Sequence, residues 1–310
     1  MRYSRQERVI GRRGQDSLKK SRVIVVGVGA LGCVSAQLLV RAGVGSVVVV
    51  DRDVVELDNL QRQVLYSEEN VGLPKAGVAE RVLRGMNSDV EVEGRCVDLS
   101  SVNVDLLEGF DLVVDCTDSM ETRFLLNDYC RKNSVAWIYA GGIRDEGSVW
   151  FIDGSRGCFS CVFDRVEGLE TCDRVGVLNS LTTVVGGLQA HLALCHLSGR
   201  KVEKRMVRVG LSSLDVECLD VQEKEECDCC NGRYGFLEGK EKNVVKACGK
   251  DLFFMSGLDL DLARLKNEIK CENLGGCLRS KDFYLFATHA LIRAKNVAEA
   301  KKIFCKEVGL

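Results

Sequence analysis

Residues 27–32 read Gly-Val-Gly-Ala-Leu-Gly, with glycine at 27, 29 and 32. The apolar run RVIVVG (22–27) leads into them and a helix-forming run, 30–42, follows. Glycines at this spacing permit a tight turn and let backbone N–H groups close on a phosphate. The helix N-terminus adds partial positive charge to the same anion. Asp51 ends the next apolar run, 46–51, where a carboxylate can accept hydrogen bonds from ribose hydroxyls. So far the pattern says nucleotide and fits NAD as well as ATP. Three further residues favour a triphosphate: Arg62 within NLQRQ (59–63), Lys75 within GLPK (72–75) and Asp118 within DCTD (115–118). Adenylyl transfer needs cations around the β and γ phosphates and a carboxylate for Mg2+. A dinucleotide oxidoreductase, whose pyrophosphate rests on the glycine loop, leaves all three without a task.

The cysteines carry a second signal. Of sixteen, four stand as two C-x-x-C pairs, Cys158/Cys161 and Cys227/Cys230. That spacing suits a closed tetrahedral Zn2+ site, which has no open position for a substrate and is therefore structural. Such a clamp joins distant parts of the chain. Cys229 lies inside the second pair and competes as a ligand. Cys172 lies in the polar stretch ETCDR (170–174), where Arg174 could help hold it as a thiolate. His191 and His196 lie five apart on an apolar helix, on different faces, and read as structural.

Positioning these residues takes an open α/β sheet. β-branched apolar runs at 22–27, 46–51, 90–97, 111–115 and 135–140 alternate with helical runs at 30–42, 75–86 and 121–132, with Pro74 where the second of these starts. The expected fold is Rossmann-like, doubly wound and mostly parallel. After residue 147 the pattern changes. A strand at 148–152 precedes the first cysteine pair, a long core helix runs from Leu178, and a β-ribbon at 206–209 and 216–221 leads to the second pair. Residues 232–243, glycine-rich and charged, suit a linker. The remainder, 244–310, reads as a small α+β module. Its strands are expected at 252–255, 283–286 and 290–294. Helices are expected at 259–269 and 297–308, the second capped by Asn296. The expected division is 1–231, 232–243 and 244–310.

The chain has 310 residues, 46% apolar, with 43 basic and 45 acidic side chains and a net charge of −2. This balance gives no reason to expect nucleic acid or an acidic membrane as partner. No secretory signal opens the chain and no clean apolar span of about 20 residues occurs, so a cytoplasmic protein is expected.

From residue 2 to about 232 the chain resembles the ThiF/MoeB/HesA family, related to the adenylation domains of ubiquitin-activating enzymes. The resemblance rests on RYSRQ (2–6), the glycine loop with Cys33 after it, NLQRQ (59–63), VGLPK (71–75) and CTD (116–118). It implies that Asp51, Asn59, Arg62, Lys75 and Asp118 bind ATP and Mg2+. It implies a homodimer in which Arg5 reaches the neighbouring subunit's nucleotide site. The implied partner is a small β-grasp protein, ubiquitin-like or a sulfur carrier, whose C-terminal Gly-Gly carboxylate is adenylated. The resembling family carries the same two cysteine pairs. Some of its members go on to a thioester or persulfide at a cysteine placed like Cys172, and others stop at the adenylate. Three alternatives stay open: an NAD-dependent oxidoreductase, a non-catalytic nucleotide-binding scaffold, and activation of a small molecule or free peptide. Residues 244–310 resemble only weakly a C-terminal extension of some relatives. They lack the C-x5-R loop of a sulfur-transfer domain, and with EVGL rather than Gly-Gly at its end the chain is not expected to be itself the carrier.

Overall fold

The computed structural model describes residues 2–163, 175–239, 244–246, 252–256 and 258–308. Its main sheet has eight strands: β1 (Arg22–Val26), β2 (Ser46–Val50), β3 (Glu91–Arg95), β4 (Leu112–Asp115), β5 (Trp137–Ile143), β6 (Glu146–Ile152), β7 (Met206–Gly210) and β8 (Asp215–Leu219). Their order is 3-2-1-4-5-6-7-8. The first five run parallel and the last three antiparallel.

The parallel strands alternate their side chains between two cores, as strands covered on both sides must. One face sends Val23, Val25, Val47, Val49, Leu112 and Val114 toward helices α2 (Ala30–Ala42), α3 (Lys75–Met86) and α6 (Asn179–Leu197). The other sends Ile24, Val48 and Trp137 toward α4 (Met120–Asn133) and the short α5 (Phe159–Val162). α1 (Ser4–Leu18) lies outside this sandwich. Gln6 and Gln15 anchor it by donating to the Ala42 carbonyl at the end of α2.

Strand order reverses between β1 and β4. The β1–α2 and β4–α4 loops diverge there and open a crevice at the carboxyl ends of the strands, where open α/β sheets bind ligands.

The C-terminal residues form a second, antiparallel sheet, not continuous with the first. Its strands are β9 (Val244–Lys246), β10 (Leu252–Met255), β11 (Glu272–Asn273), β12 (Leu278–Arg279), β13 (Phe283–Leu285) and β14 (Ala290–Arg293), in the order 11-12-13-14-10-9. β9, β11 and β12, two or three residues each, were too short to show a period in the sequence. One face packs on α7 (Leu262–Glu268) and α8 (Val297–Val308). Asn296 caps α8 by accepting from the Glu299 N–H. The other face puts Leu252, Phe254, Phe286 and Leu291 against Val54, just past β2.

The stretch expected as a linker is not a bare tether over its described part. Phe236 stacks on Phe124 at 4.9 Å, and its N–H donates to Asp128. An aromatic side chain beside an apolar surface gains more by packing than by staying in water.

His289 fastens the second sheet to the first. It is fully buried and stacked on Phe286 at 4.2 Å. Its Nε2–H donates to the Arg52 carbonyl at 2.8 Å, and the Thr288 hydroxyl donates to Nδ1. This arrangement requires the neutral ring. Burial pushes its pKa down to about 4, with the Arg52 carbonyl opposing. An unfolded histidine titrates near 6.5, so stability is lost as pH falls from about 6.5 toward 4. Replacing His289 by Gln is expected to cost less at pH 5 than at pH 7, the gap narrowing by about 2 kcal/mol, as read from denaturant midpoints of the two proteins at each pH.

Candidate functional site

The crevice at the strand reversal is a cavity of about 460 Å³. Gly27, Gly29, Asp51, Arg62, Lys75 and Asp118 all line it. Gly32 and Asn59 do not, and Arg5 is exposed on α1.

The three glycines divide the work. Gly27 takes φ +87, and a Cβ there would meet the Cys116 carbonyl oxygen at 2.8 Å. A Cβ on Gly32 would drive into the Gly27 carbonyl. These two are demanded by the turn itself. Gly29 has nothing nearer than Gln63 Nε2 at 3.8 Å, so the space over it is open toward the cavity. It also caps α2, whose first N–H groups carry the helix's positive end.

Asp51 is expected from the sequence to meet ribose. In the structure its Oδ2 accepts the Val28 N–H at 2.6 Å and its Oδ1 accepts the Asp53 N–H at 2.8 Å. It therefore ties the β1–α2 loop to the segment after β2 while lining the cavity. Burial raises its pKa, and Lys75 opposes this. Lys75 is buried with Nζ 3.5 Å from Asp53. Burial disfavours its charge, yet Asp53, Asp51 and Asp118 together hold its pKa above the ordinary lysine value. Burial works against Asp53 as well, but Lys75 and Arg52 keep it ionised. Lys75 is thus a fixed cation at the cavity wall.

Asn59 acts at one remove. Its backbone carbonyl accepts the N–H groups of Arg62 and Gln63, and its side chain closes the turn at 56–59. It shapes the segment that presents Arg62, a half-buried guanidinium that donates to the Asp58 carbonyl.

Asp115, the first residue of DCTD, has a fully buried carboxylate. It accepts from the Thr117 N–H and hydroxyl and pairs with Arg123 at 3.3 Å. This network builds the turn that delivers Asp118 to the cavity. Ser119 then caps α4 by accepting the Thr122 N–H.

Three site residues escaped the sequence reading. Arg123 joins Asp115 to the Thr117 and Ala140 carbonyls, and no motif marks it. Gln189 on α6 donates to the Asp115 and Ile138 carbonyls and accepts from Ser35 and Cys116. A carboxamide in a helix otherwise so apolar was the available signal, since a buried amide demands partners. Gln63 lines the cavity, and its buried Oε1 has no hydrogen-bond partner among the described residues. A buried acceptor without a partner, on a residue that lines a cavity, can take a donor from a ligand.

The four cysteines of the two pairs converge beyond β6. Their sulfurs lie 3.6 Å apart for Cys158–Cys227 and Cys161–Cys230 and 3.9 Å for Cys158–Cys161. Zn–S bonds of about 2.3 Å in a tetrahedron give sulfur–sulfur edges of about 3.8 Å, so these residues fit the ion. Cys229 falls outside the set of four and takes a hydrogen bond from Asn127 Nδ2 at 3.1 Å. Cys172 and Arg174 lie outside the described residues.

Comparison with known proteins places this architecture. The ThiF family matches residues 3–231. The chain belongs to the ThiF family. It is 42% identical to the sulfur carrier protein ThiS adenylyltransferase of Bacillus subtilis (strain 168), with 99% of each chain covered. It is 36% identical to the SAMP-activating enzyme E1 of Haloferax volcanii, over 78% of this chain and 92% of that one. The crystal structure of E. coli MccB with MccA-N7isoASN has a TM-score of 0.67 at 22% identity, covering 74% of this chain and 75% of the other. At that identity the likeness is one of fold. This ThiF-family chain is an adenylyltransferase.

The two kinds of glycine in the ThiF-family loop separate by experiment. Gly32→Ala is expected to cost about 3 kcal/mol of stability, because the added methyl has no space. Gly29→Ala is expected to stay within about 1 kcal/mol of the parent while binding ATP more weakly. Denaturant unfolding and equilibrium ATP binding of the two variants check both halves.

Proposed function

We propose that this adenylyltransferase activates the C-terminal Gly-Gly carboxylate of a small β-grasp protein, ubiquitin-like or a sulfur carrier, at the expense of ATP. The observation that carries the reading is the convergence of Gly29, Arg62, Lys75 and Asp118 on one cavity. The names of the B. subtilis and H. volcanii relatives support a carrier-protein substrate.

The chemistry needs no general base. A C-terminal carboxylate is already ionised near neutral pH. Its oxygen forms a bond to the α-phosphorus as the bond to the pyrophosphate oxygen breaks, giving an acyl-adenylate and pyrophosphate. The chain's task is to hold the two reactants in line and to offset charge on the phosphates. The open backbone over Gly29 and the N-terminus of α2 take phosphate oxygens. Lys75 and Arg62 face the β and γ groups, and Asp118 holds Mg2+, which neutralises phosphate charge when bound. Asp51 retains acceptor capacity for ribose, and Gln63 Oε1 awaits a donor. Arg5, exposed on α1, completes the nucleotide site of a second copy in a homodimer, as an arginine finger does. Cys172 acts after the adenylate: its thiolate attacks the acyl carbon and displaces AMP to form a thioester, or, once a persulfide donor has transferred sulfane sulfur to it, the persulfide displaces AMP to form an acyl disulfide. A cytoplasmic setting fits this role, and among the described residues no helix is long and apolar enough to cross a membrane.

ATP–pyrophosphate exchange with each small Gly-Gly-ending protein of the source organism tests the reading. Exchange is expected with at least one of them, and exchange with none sinks the proposal. Asp118→Ala is expected to abolish exchange, and Cys172→Ala to leave it intact. Loss of exchange in a folded Cys172→Ala protein would show that the cysteine acts earlier than proposed.

The cysteine cluster is proposed to hold one structural Zn2+ through Cys158, Cys161, Cys227 and Cys230. Metal analysis of the purified chain is expected to find one zinc per chain, lost in Cys227→Ala and kept in Cys229→Ala. Zinc loss in the Cys229 variant instead would reassign the fourth ligand.

A further inference from the structure

The glycine loop, the cations and the metal carboxylate account for the phosphate part of a nucleotide. They leave the base without a wall. Arg52, between Asp51 and Asp53, also lines the cavity, together with Val97, Asp98 and Leu99 from the end of β3 onward. Its Nη1 donates to Asp98 at 3.1 Å, and the Asp53 carboxylate lies 4.0 Å from its Nε. The guanidinium carbon sits 4.4 Å from the centre of the Phe254 ring, on β10 of the second sheet. The Arg52 carbonyl is held by His289 of the same sheet. A side chain with many rotamers is thus held by Asp98, Asp53 and Phe254, and its backbone carbonyl by His289, so that two of the four contacts come from the C-terminal residues.

We propose that the C-terminal sheet is part of the nucleotide site: Phe254 and His289 set Arg52 as a flat cationic wall against which a purine base stacks. The inference rests on the adenylation reading of the same cavity and deepens it. A guanidinium is planar and stacks on aromatic faces. Phe254 backs the guanidinium from the second sheet, Arg52 itself lines the cavity, and Val97 and Leu99 add apolar surface to the same lining. A purine offers more ring area to such a wall than a pyrimidine does, so Arg52 is a specificity-determining residue. Phe254 and His289 are positioning residues that act through it. The salt link to Asp98 fixes the plane in which the guanidinium lies.

The test is equilibrium binding of ATP and of CTP, each with Mg2+, to the full chain without any protein partner. The readout is the ratio of the two affinities, because a merely structural loss lowers both and leaves the ratio alone. The parent is expected to favour ATP. Arg52→Met is expected to weaken ATP about tenfold and to contract the ratio, and Arg52→Lys, which keeps charge without a plane, is expected to contract it as well. Phe254→Leu and His289→Gln are expected to contract it, while Phe254→Tyr, which keeps the ring, preserves it. An Arg52→Met or Arg52→Lys protein with the parent's ratio overturns the stacking wall. A Phe254→Leu protein with the parent's ratio overturns the part given to the second sheet. Absence of ATP binding by the parent sinks the adenylation reading and this inference with it. Tight ATP binding by both the parent and Arg52→Met sinks this inference alone.

Discussion

One buried carboxylate holds the crevice open in its working shape. Asp51 takes one backbone N–H from the glycine loop and one from the segment after β2, so two loops that meet nowhere else in sequence are locked at a fixed separation. Each loop alone has a poor hold on its conformation. The glycine loop packs only Val28 and Leu31 into the core, and residues 51–53 leave the sheet where the pairing of β2 ends. Desolvation works against the ionised Asp51, and Lys75 works for it. Lys75 is kept charged in turn by Asp53, Asp51 and Asp118. A buried group of this kind is costly to break from either side. Its return is a cation whose position does not depend on a ligand arriving. That is the preorganisation which electrostatic catalysis on phosphates requires.

The same economy separates holding from acting along the DCTD segment. Asp115 is spent on Thr117 and Arg123, inside a shell closed by Gln189. Asp118, three residues on, is exposed at the cavity. A metal carboxylate must be reachable, and a reachable carboxylate on a loop needs a rigid neighbour to fix its direction. The buried aspartate and its arginine partner supply that rigidity.

This division explains how much could be read before the structure. The parallel strands and the glycine loop were legible because their physics is local. β-branched runs have a length, and a tight turn demands glycine at set offsets. The cysteine pairs were legible because ligand spacing is local too. The convergence of Cys158/Cys161 with Cys227/Cys230, 69 residues apart within each close pair of sulfurs, follows once a single ion is invoked. Gln63, Arg123 and Gln189 were not legible as site residues. Gln189 finds its partners 51 to 154 residues away, Arg123 reaches 17 residues to the Ala140 carbonyl, and Gln63 keeps an acceptor without a partner among the described residues; no sequence period encodes any of these. Asn59 differs from Arg62 in another way: the same motif marks both, and the described contacts of Asn59 are with its own turn.

The C-terminal residues pose the sharper case. Their sheet is apolar on both faces, and α7 and α8 cover only one. A unit of this size has little core to spare, so the second face must find cover. It finds Val54 and Arg52 at the rim of the crevice. The ThiF family match ends at residue 231, while the B. subtilis relative matches over 99% of the chain, the C-terminal residues included. The C-terminal residues therefore lie beyond the family match, and the place where they dock is informative. An added unit that needed only burial could have docked on any apolar patch, such as the exposed Leu214 and Val216 of the β7–β8 ribbon. It docks instead on Arg52 and Val54, on either side of Asp53, the residue that pairs with Lys75.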